Sequence, residues 1–131
     1  DFIGVDAYFP LTAPDHASVT DLQAAWQPWL DGLRSRAAGK RLVVTEVGVL
    51  PLTNGFRDPW RWEMTGPPDY EAQARYYRSA CDAARSLGAT ALYWWDVRPD
   101  TVDDGFDPLG RPAEQQVGDC FHGSRTGGRA S

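Results

Sequence analysis

One carboxylate interrupts an otherwise apolar stretch. Glu46 stands between Thr45 and Val47, in a segment that is nearly continuous in valine and leucine. A buried carboxylate is costly unless it is paired or hydrogen-bonded. One interpretation is therefore structural, an ion pair with an arginine such as Arg98. The other is catalytic, because a retaining glycosidase uses one carboxylate to attack the anomeric carbon while a second acid protonates the leaving oxygen.

Four further polar or aromatic residues stand near the ends of apolar stretches. Asp6 and Tyr8 lie two residues apart, on one face of an extended segment. The Tyr8 hydroxyl is expected to donate to Glu46 or to another buried acceptor, and Asp6 to orient a neighbour, such as an arginine, or to contact substrate. Trp95 and Asp96 close a third stretch. A flat indole suits the apolar face of a sugar ring, so Trp95 is a candidate floor of a sugar subsite.

The segment 51–68 is long for a connection and carries Trp60 and Trp62. Loops of this length in compact domains are usually functional. Trp62 is therefore a candidate substrate-binding residue of an outer subsite. Packing of either tryptophan onto the domain is the alternative.

These residues need a scaffold that brings strand ends together. The segments 2–9, 41–50 and 89–97 are near-continuous apolar runs, which are typical of strands covered on both faces. Amphipathic helical patterns separate them. This alternation predicts an α/β fold with right-handed crossovers and a parallel sheet, in which ligands bind at the carboxyl ends of the strands. By alternation, Trp95 shares a face with Tyr93, while Trp94 faces the helices.

The helical segments carry their own boundary signals. Thr20 with Gln23 has the form of a capping box for the first helix, in which Pro28 predicts a kink or a fresh start and Gly39 a stop. Asp69 and Gly88 are the expected caps of the second helix.

Few elements are expected after the third apolar stretch. A third helix is expected near Pro112 to Phe121, which gives a domain over residues 1–122, and Gly, Ser and Arg predict a disordered tail over 123–131.

Composition excludes several classes of protein. The net charge of −5 is unsuited to binding nucleic acid, and no apolar run approaches the roughly 20 residues of a membrane span. Cys81 and Cys120 lack metal-ligand spacing, so one disulfide is possible but not required. The aspartates near position 100 lack the spacing of a calcium loop and are interpreted as a solvated loop; they are Asp100, Asp103, Asp104 and Asp107. We expect no metal and no cofactor.

The sequence resembles a known family in several motifs. Four motifs, in order and spacing, resemble the last strands of glycoside hydrolase family 113, and a fifth resembles the entry to that family's final helix. The likeness covers residues 1 to about 120. They are the opening DFIGVDAYFPL, Val44-Thr45-Glu46-Val47-Gly48, Gln73 with Tyr76-Tyr77, Leu92-Tyr93-Trp94-Trp95-Asp96, and Gly110-Arg111-Pro112-Ala113-Glu114.

The resemblance implies a retaining enzyme of clan A that acts on β-1,4-mannan or related mannosides without a cofactor. It makes the three strands here strands six, seven and eight of a (β/α)₈ barrel, with Glu46 as the nucleophile. The stretch around Asp6 and Tyr8, together with Trp95, matches strand ends that line the family's cleft.

One part of the family pattern is missing. The acid/base glutamate of the family follows an asparagine at the end of strand four, whereas the only asparagine here is Asn54, followed by glycine. A complete barrel takes about 250 residues, so we expect the N-terminal part of the same barrel as a partner and an isolated chain that is inactive. The open alternatives are another clan A β-glycanase (a glucanase or galactanase), a non-catalytic carbohydrate-binding barrel, and a small α/β domain with a structural role.

Overall fold

The computed structural model describes residues 1–98 and 105–123. Within these residues the chain alternates strands and helices. The strands are β1 (Phe2–Asp6), β2 (Arg41–Val47) and β3 (Ala91–Trp94). The helices are α1 (Val19–Ala37), α2 (Tyr70–Leu87) and α3 (Pro112–His122), with one 3₁₀ turn at Gly55–Arg57.

The strands form a parallel sheet in the order β1-β2-β3, which confirms the α/β prediction. All three strands are shorter than the apolar runs that predicted them. At β3, the flanking residues still bond to β2: the amide of Thr90 donates to Leu42 O at 2.8 Å, and that of Trp95 donates to Val47 O at 2.8 Å. The ladder therefore extends slightly beyond the regular strand.

Helix α1 differs from its prediction at its start and at Pro28. Ser18 caps the helix, because its hydroxyl accepts from Asp21 N at 3.1 Å while the Asp21 carboxylate accepts from Ser18 N at 2.8 Å. The predicted Thr20 and Gln23 box is wrong by two residues. The helix also continues through Pro28, so a fresh start there is wrong. Buried side chains on both sides of this proline hold the two halves in place, namely Leu22, Trp26 and Leu30.

Helix α2 has the predicted caps. Asp69 accepts from Ala72 N at 2.9 Å, and Gly88 takes the left-handed conformation with φ 72°. The third helix forms where it was expected and ends at His122. The predicted disordered tail lies outside the described residues, except for Gly123.

The core lies between the sheet and helices α1 and α2. Trp94 stacks on Tyr77 with ring centroids 4.8 Å apart, so Trp94 faces the helices as predicted. A disulfide between Cys81 and Cys120 joins α2 to α3, with the Cα atoms 5.9 Å apart. None of the helices described is long and apolar enough to span a membrane.

Candidate active site

Glu46 lies at the carboxyl end of β2, opposite Asp6 in the sheet register, where the pairing with β1 is irregular. The Tyr8 hydroxyl donates to Glu46 Oε2 at 3.1 Å, which confirms the predicted contact. Arg98 pairs with Asp96, and no arginine within residues 1–98 and 105–123 forms an ion pair with Glu46, so the structural ion pair considered for Glu46 does not form among these residues. The carboxylate is held by a neutral donor and is partly exposed.

The Tyr8 hydroxyl keeps its proton to higher pH than an ordinary tyrosine does. Its burial raises its pKa well above the ordinary value, and the charge of Glu46 and the hydrogen bond to that carboxylate act in the same direction. The hydroxyl therefore keeps its proton, and with it the contact to Glu46, throughout the range of neutral and mildly alkaline pH.

Asp6 supports the same strand end. Its Oδ1 accepts from Thr45 Oγ1 at 2.7 Å, and the carboxylate remains exposed. The orientation of a neighbour is as anticipated, but the neighbour is a threonine and not an arginine. Thr45 directly precedes Glu46, so this bond ties the last residue of β1 to the chain beside the candidate nucleophile.

Trp95 is brought to the site by a close approach of two backbones. A Cβ built on Gly48 would lie 1.9 Å from Trp95 O, so only glycine allows this contact. The Trp95 side chain is partly exposed. The peptide bond that follows Trp95 is cis. The largely buried carboxylate of Asp96 forms an ion pair with Arg98.

Trp62 reaches the same region indirectly. Its ring meets that of Phe106 edge-on, with centroids 6.0 Å apart, and Trp62 itself is 74% exposed. Phe106 in turn places Cδ1 3.2 Å from the position of a Cβ on Gly48. Trp62 is thus an exposed indole joined to the end of β2 through a single ring. Trp60, in the same loop, is also exposed.

The comparisons with known proteins decide the family. The model of Glycoside Hydrolase Family 113 matches residues 1–104. The chain belongs to glycoside hydrolase family 113. No curated protein matches the chain in sequence.

Solved structures of family 113 match the fold. A structure described as a complex of a GH113 β-1,4-mannanase superposes on this chain with a TM-score of 0.76 at 20% identity. The match covers 94% of this chain and 39% of the mannanase chain. The GH113 β-mannanase of Alicyclobacillus acidocaldarius, in complex with ManMIm, gives 0.70 at 23% identity, with 93% and 38% covered. These likenesses establish the fold as part of the family's barrel. The chain spans about two fifths of the length of either neighbour.

In this family 113 chain, the prediction of a solvated acidic loop is wrong at Asp107. Asp107, assigned to a solvated acidic loop, is 4% exposed, and its carboxylate accepts from Leu109 N at 3.0 Å. It caps a tight turn and is not a solvated charge. The other aspartates of that run, Asp100, Asp103 and Asp104, lie outside the described residues. Within residues 1–98 and 105–123, no cluster of three or more metal-ligating side chains occurs.

Sequence reasoning missed the two residues that connect the loops to the strand end. Gly48 was visible directly after the Thr45-Glu46-Val47 motif, and a glycine that ends a strand is a signal of close backbone approach. Phe106 carried no such signal, because its contacts with Gly48 and Trp62 cross 58 and 44 positions of sequence.

Proposed function

We propose that this chain supplies strands six to eight of a retaining family 113 β-mannanase, and that Glu46 is the nucleophile. The observation that carries the proposal is the hydrogen bond from Tyr8 to Glu46 at the carboxyl end of β2. That end is where (β/α)₈ enzymes place their chemistry.

In the proposed reaction, Glu46 attacks the anomeric carbon of a β-mannoside. A second carboxylic acid protonates the leaving oxygen as its bond to that carbon breaks, which gives a covalent glycosyl–enzyme. The same second group then removes a proton from water, which attacks the anomeric carbon and releases Glu46. Tyr8 occupies Oε2 of the carboxylate, so Oε1 is the oxygen assigned to the attack.

The second carboxyl group is assigned to the N-terminal part of the same barrel. A retaining pair lies about 5 to 5.5 Å apart, and the described carboxylate nearest in register to Glu46 is Asp6, which is engaged with Thr45. Because the chain spans 39% of the length of a solved neighbour, we propose that the remaining strands belong to a longer polypeptide. Without them, these 131 residues are expected to be inactive.

The binding residues are assigned from the sequence, and contacts that link Trp95 and Trp62 to the end of β2 support the assignment. Trp95 is assigned to the floor of the subsite at the cleaved bond, Asp6 and Asp96 to contacts with sugar hydroxyls, and Trp62 to an outer subsite. The exposed indole of Trp62 and the partly exposed indole of Trp95 offer flat apolar faces, and the carboxylates of Asp6 and Asp96 are acceptors for sugar hydroxyls. No cofactor is needed for this chemistry.

Mannan is proposed as substrate because the superposed structures are described as β-mannanases. The test offers the full polypeptide β-1,4-mannan, β-1,4-glucan and β-1,4-galactan, and follows the first-formed anomer by NMR. Release from mannan with the β-anomer first supports the proposal. Preference for glucan or galactan assigns a different clan A specificity, an α-anomer first excludes a retaining mechanism, and binding without cleavage identifies a non-catalytic barrel.

A further inference from the structure

A buried polar cluster on α2 lies behind the candidate site. The side chain of Gln73 is fully buried, and its Nε2 donates to Val49 O at 3.1 Å and to Phe106 O at 3.3 Å. Tyr77, one turn further along the helix, donates through its hydroxyl to the same Phe106 O at 2.8 Å. Two side chains of one helix thus hold the segment after β2 and the segment before α3 together.

The carbonyl that these donors hold belongs to the residue whose ring reaches the site. The Phe106 ring lies against Gly48, two residues after Glu46, and meets Trp62 edge-on. Two buried donors to this carbonyl fix the backbone from which the Phe106 ring projects. Through the contact with Phe106, Trp62 is therefore linked to hydrogen bonds made in the core.

Arg111 secures the other end of this segment. Its Nη1 donates to Gly105 O at 2.8 Å and lies 3.5 Å from Gln73 Oε1, while its guanidinium covers the Tyr70 ring at 4.9 Å. The amide of Gln73 therefore uses its donor group on two backbone carbonyls and its oxygen on a cation. An apolar side chain of similar size at position 73 would leave Val49 O without this donor inside the core.

We propose that Gln73, together with Tyr77, is a positioning residue. It anchors the segment 105–111 so that Phe106 holds Trp62 in place as an outer sugar platform. Gln73 is too deeply buried to contact substrate, and it acts through Phe106. The inference rests on the proposed function, because it assigns to this anchor the binding of longer glycans and not the chemistry at Glu46.

The test compares Gln73→Leu with wild type in the full polypeptide, on mannotriose and mannohexaose. Loss of the platform is expected to lower kcat/KM on mannohexaose about tenfold, mainly through KM, which corresponds to about 1.4 kcal/mol. On mannotriose the change is expected to stay below about threefold. Trp62→Ala should give the same pattern, and the double variant should lose no more than either single variant.

Ser79→Ala is the matched control. Ser79 is also fully buried on α2, but it accepts from Trp26 Nε1 at 3.1 Å on the side of α1, so its loss destabilises the fold away from the site. It should leave the ratio of the two substrates unchanged. If Gln73→Leu does not fold, Tyr77→Phe, which removes one of the two donors to Phe106 O, should give the same pattern more weakly.

Hydrogen–deuterium exchange separates this inference from the proposed function. Exchange in residues 105–111 should accelerate in Gln73→Leu and not in Ser79→Ala. Equal losses on both substrates, additivity with Trp62→Ala, or unchanged exchange would each overturn the inference. A wild type that cleaves no glycan, with exchange accelerated as expected, would overturn the proposed function and leave the anchor standing.

Discussion

Tyr8 and Glu46 are 38 residues apart in sequence, and the hydroxyl of the first donates to the carboxylate of the second at 3.1 Å. The contact joins the segment after β1 to the end of β2. Because the pKa of Tyr8 is raised, first by burial and then by the charge of Glu46, the hydroxyl remains a donor at neutral and mildly alkaline pH. A neutral donor of this kind orients a carboxylate without neutralising it, as a nucleophile requires.

Tyr8→Phe tests this contact. A hydrogen bond to a charged group contributes about 1.5 to 3 kcal/mol, so kcat/KM of the full polypeptide should fall about ten- to a hundredfold. Since Tyr8 does not lose its proton in the working range, the alkaline limb of the pH–activity profile should keep its position. Tyr70→Phe, at a half-buried position on α2, is the control and should retain activity. A Tyr8→Phe enzyme with full activity would show that Glu46 is oriented by other groups.

Gly48→Ala tests the close approach to Trp95. A methyl group would lie 1.9 Å from Trp95 O, so either β2 or the segment at Trp95 must shift. We expect a loss of about 2 to 4 kcal/mol in the free energy of unfolding, measured by urea denaturation, together with a large loss of activity. Gly32→Ala is the matched control. Gly32 lies within α1 with open space around it, so the change should stabilise the fold by up to about 1 kcal/mol. Equal effects at the two positions would contradict the packing described here.

Alkaline stability should depend on the buried tyrosines of α2. Burial raises the pKa of both Tyr76 and Tyr77. The folded state therefore keeps protons that the unfolded chain loses above about pH 10. Stability from these groups is fully present below that pH and is lost as pH rises above it, by up to about 1.4 kcal/mol per pH unit for each tyrosine.

Tyr76→Phe separates the two contributions. The Tyr76 hydroxyl is buried and has no hydrogen-bond partner among the described residues, so its removal should cost little at pH 8. It should also reduce the steepness of the alkaline loss in urea midpoints between pH 8 and 11.5. Tyr77→Phe should reduce the steepness too, but with a cost at pH 8, because it removes the bond to Phe106 O. An unchanged alkaline slope in both variants would refute this assignment.

The disulfide between Cys81 and Cys120 should be a major source of stability. It links Cys81 in α2 to Cys120 in α3 across a sequence separation of 39. Its loss should lower the free energy of unfolding by about 2 to 4 kcal/mol, measured by urea denaturation with and without reductant. The double variant Cys81→Ala with Cys120→Ala should match the reduced wild type and be indifferent to reductant. A reductant effect that persists in the double variant would have another origin.

The sequence predicted the parts that depend on periodicity. Apolar runs around Glu46 and Trp94 give parallel strands whose ends meet. The contact between Tyr8 and Glu46 and the orientation of Trp94 towards the helices therefore followed from strand geometry. Where two local signals are similar, the sequence alone does not discriminate between them. Ser18 and Thr20 offer overlapping capping boxes, and the buried contacts of Trp26 and Leu30 outweigh the preference of Pro28 to end a helix.

The features that the sequence did not predict depend on long-range packing. The pairing of Cys120 with Cys81 requires that α3 pack on α2. The burial of Asp107 and the contacts of Phe106 require the segment before α3 to fold against Gly48 and Gln73. No spacing in the sequence expresses these relationships, because they join elements brought together only in the fold.

The central claim is that Glu46 is the nucleophile, and covalent trapping tests it most directly. The full polypeptide is incubated with a 2-deoxy-2-fluoro-β-mannosyl fluoride, which slows release of a glycosyl–enzyme, and the labelled peptide is mapped by mass spectrometry. We expect one label, on Glu46, with none in Glu46→Gln and an unchanged label in Glu63→Gln, which alters an exposed loop carboxylate. A label on another carboxylate, or an active Glu46→Gln enzyme, would contradict the account.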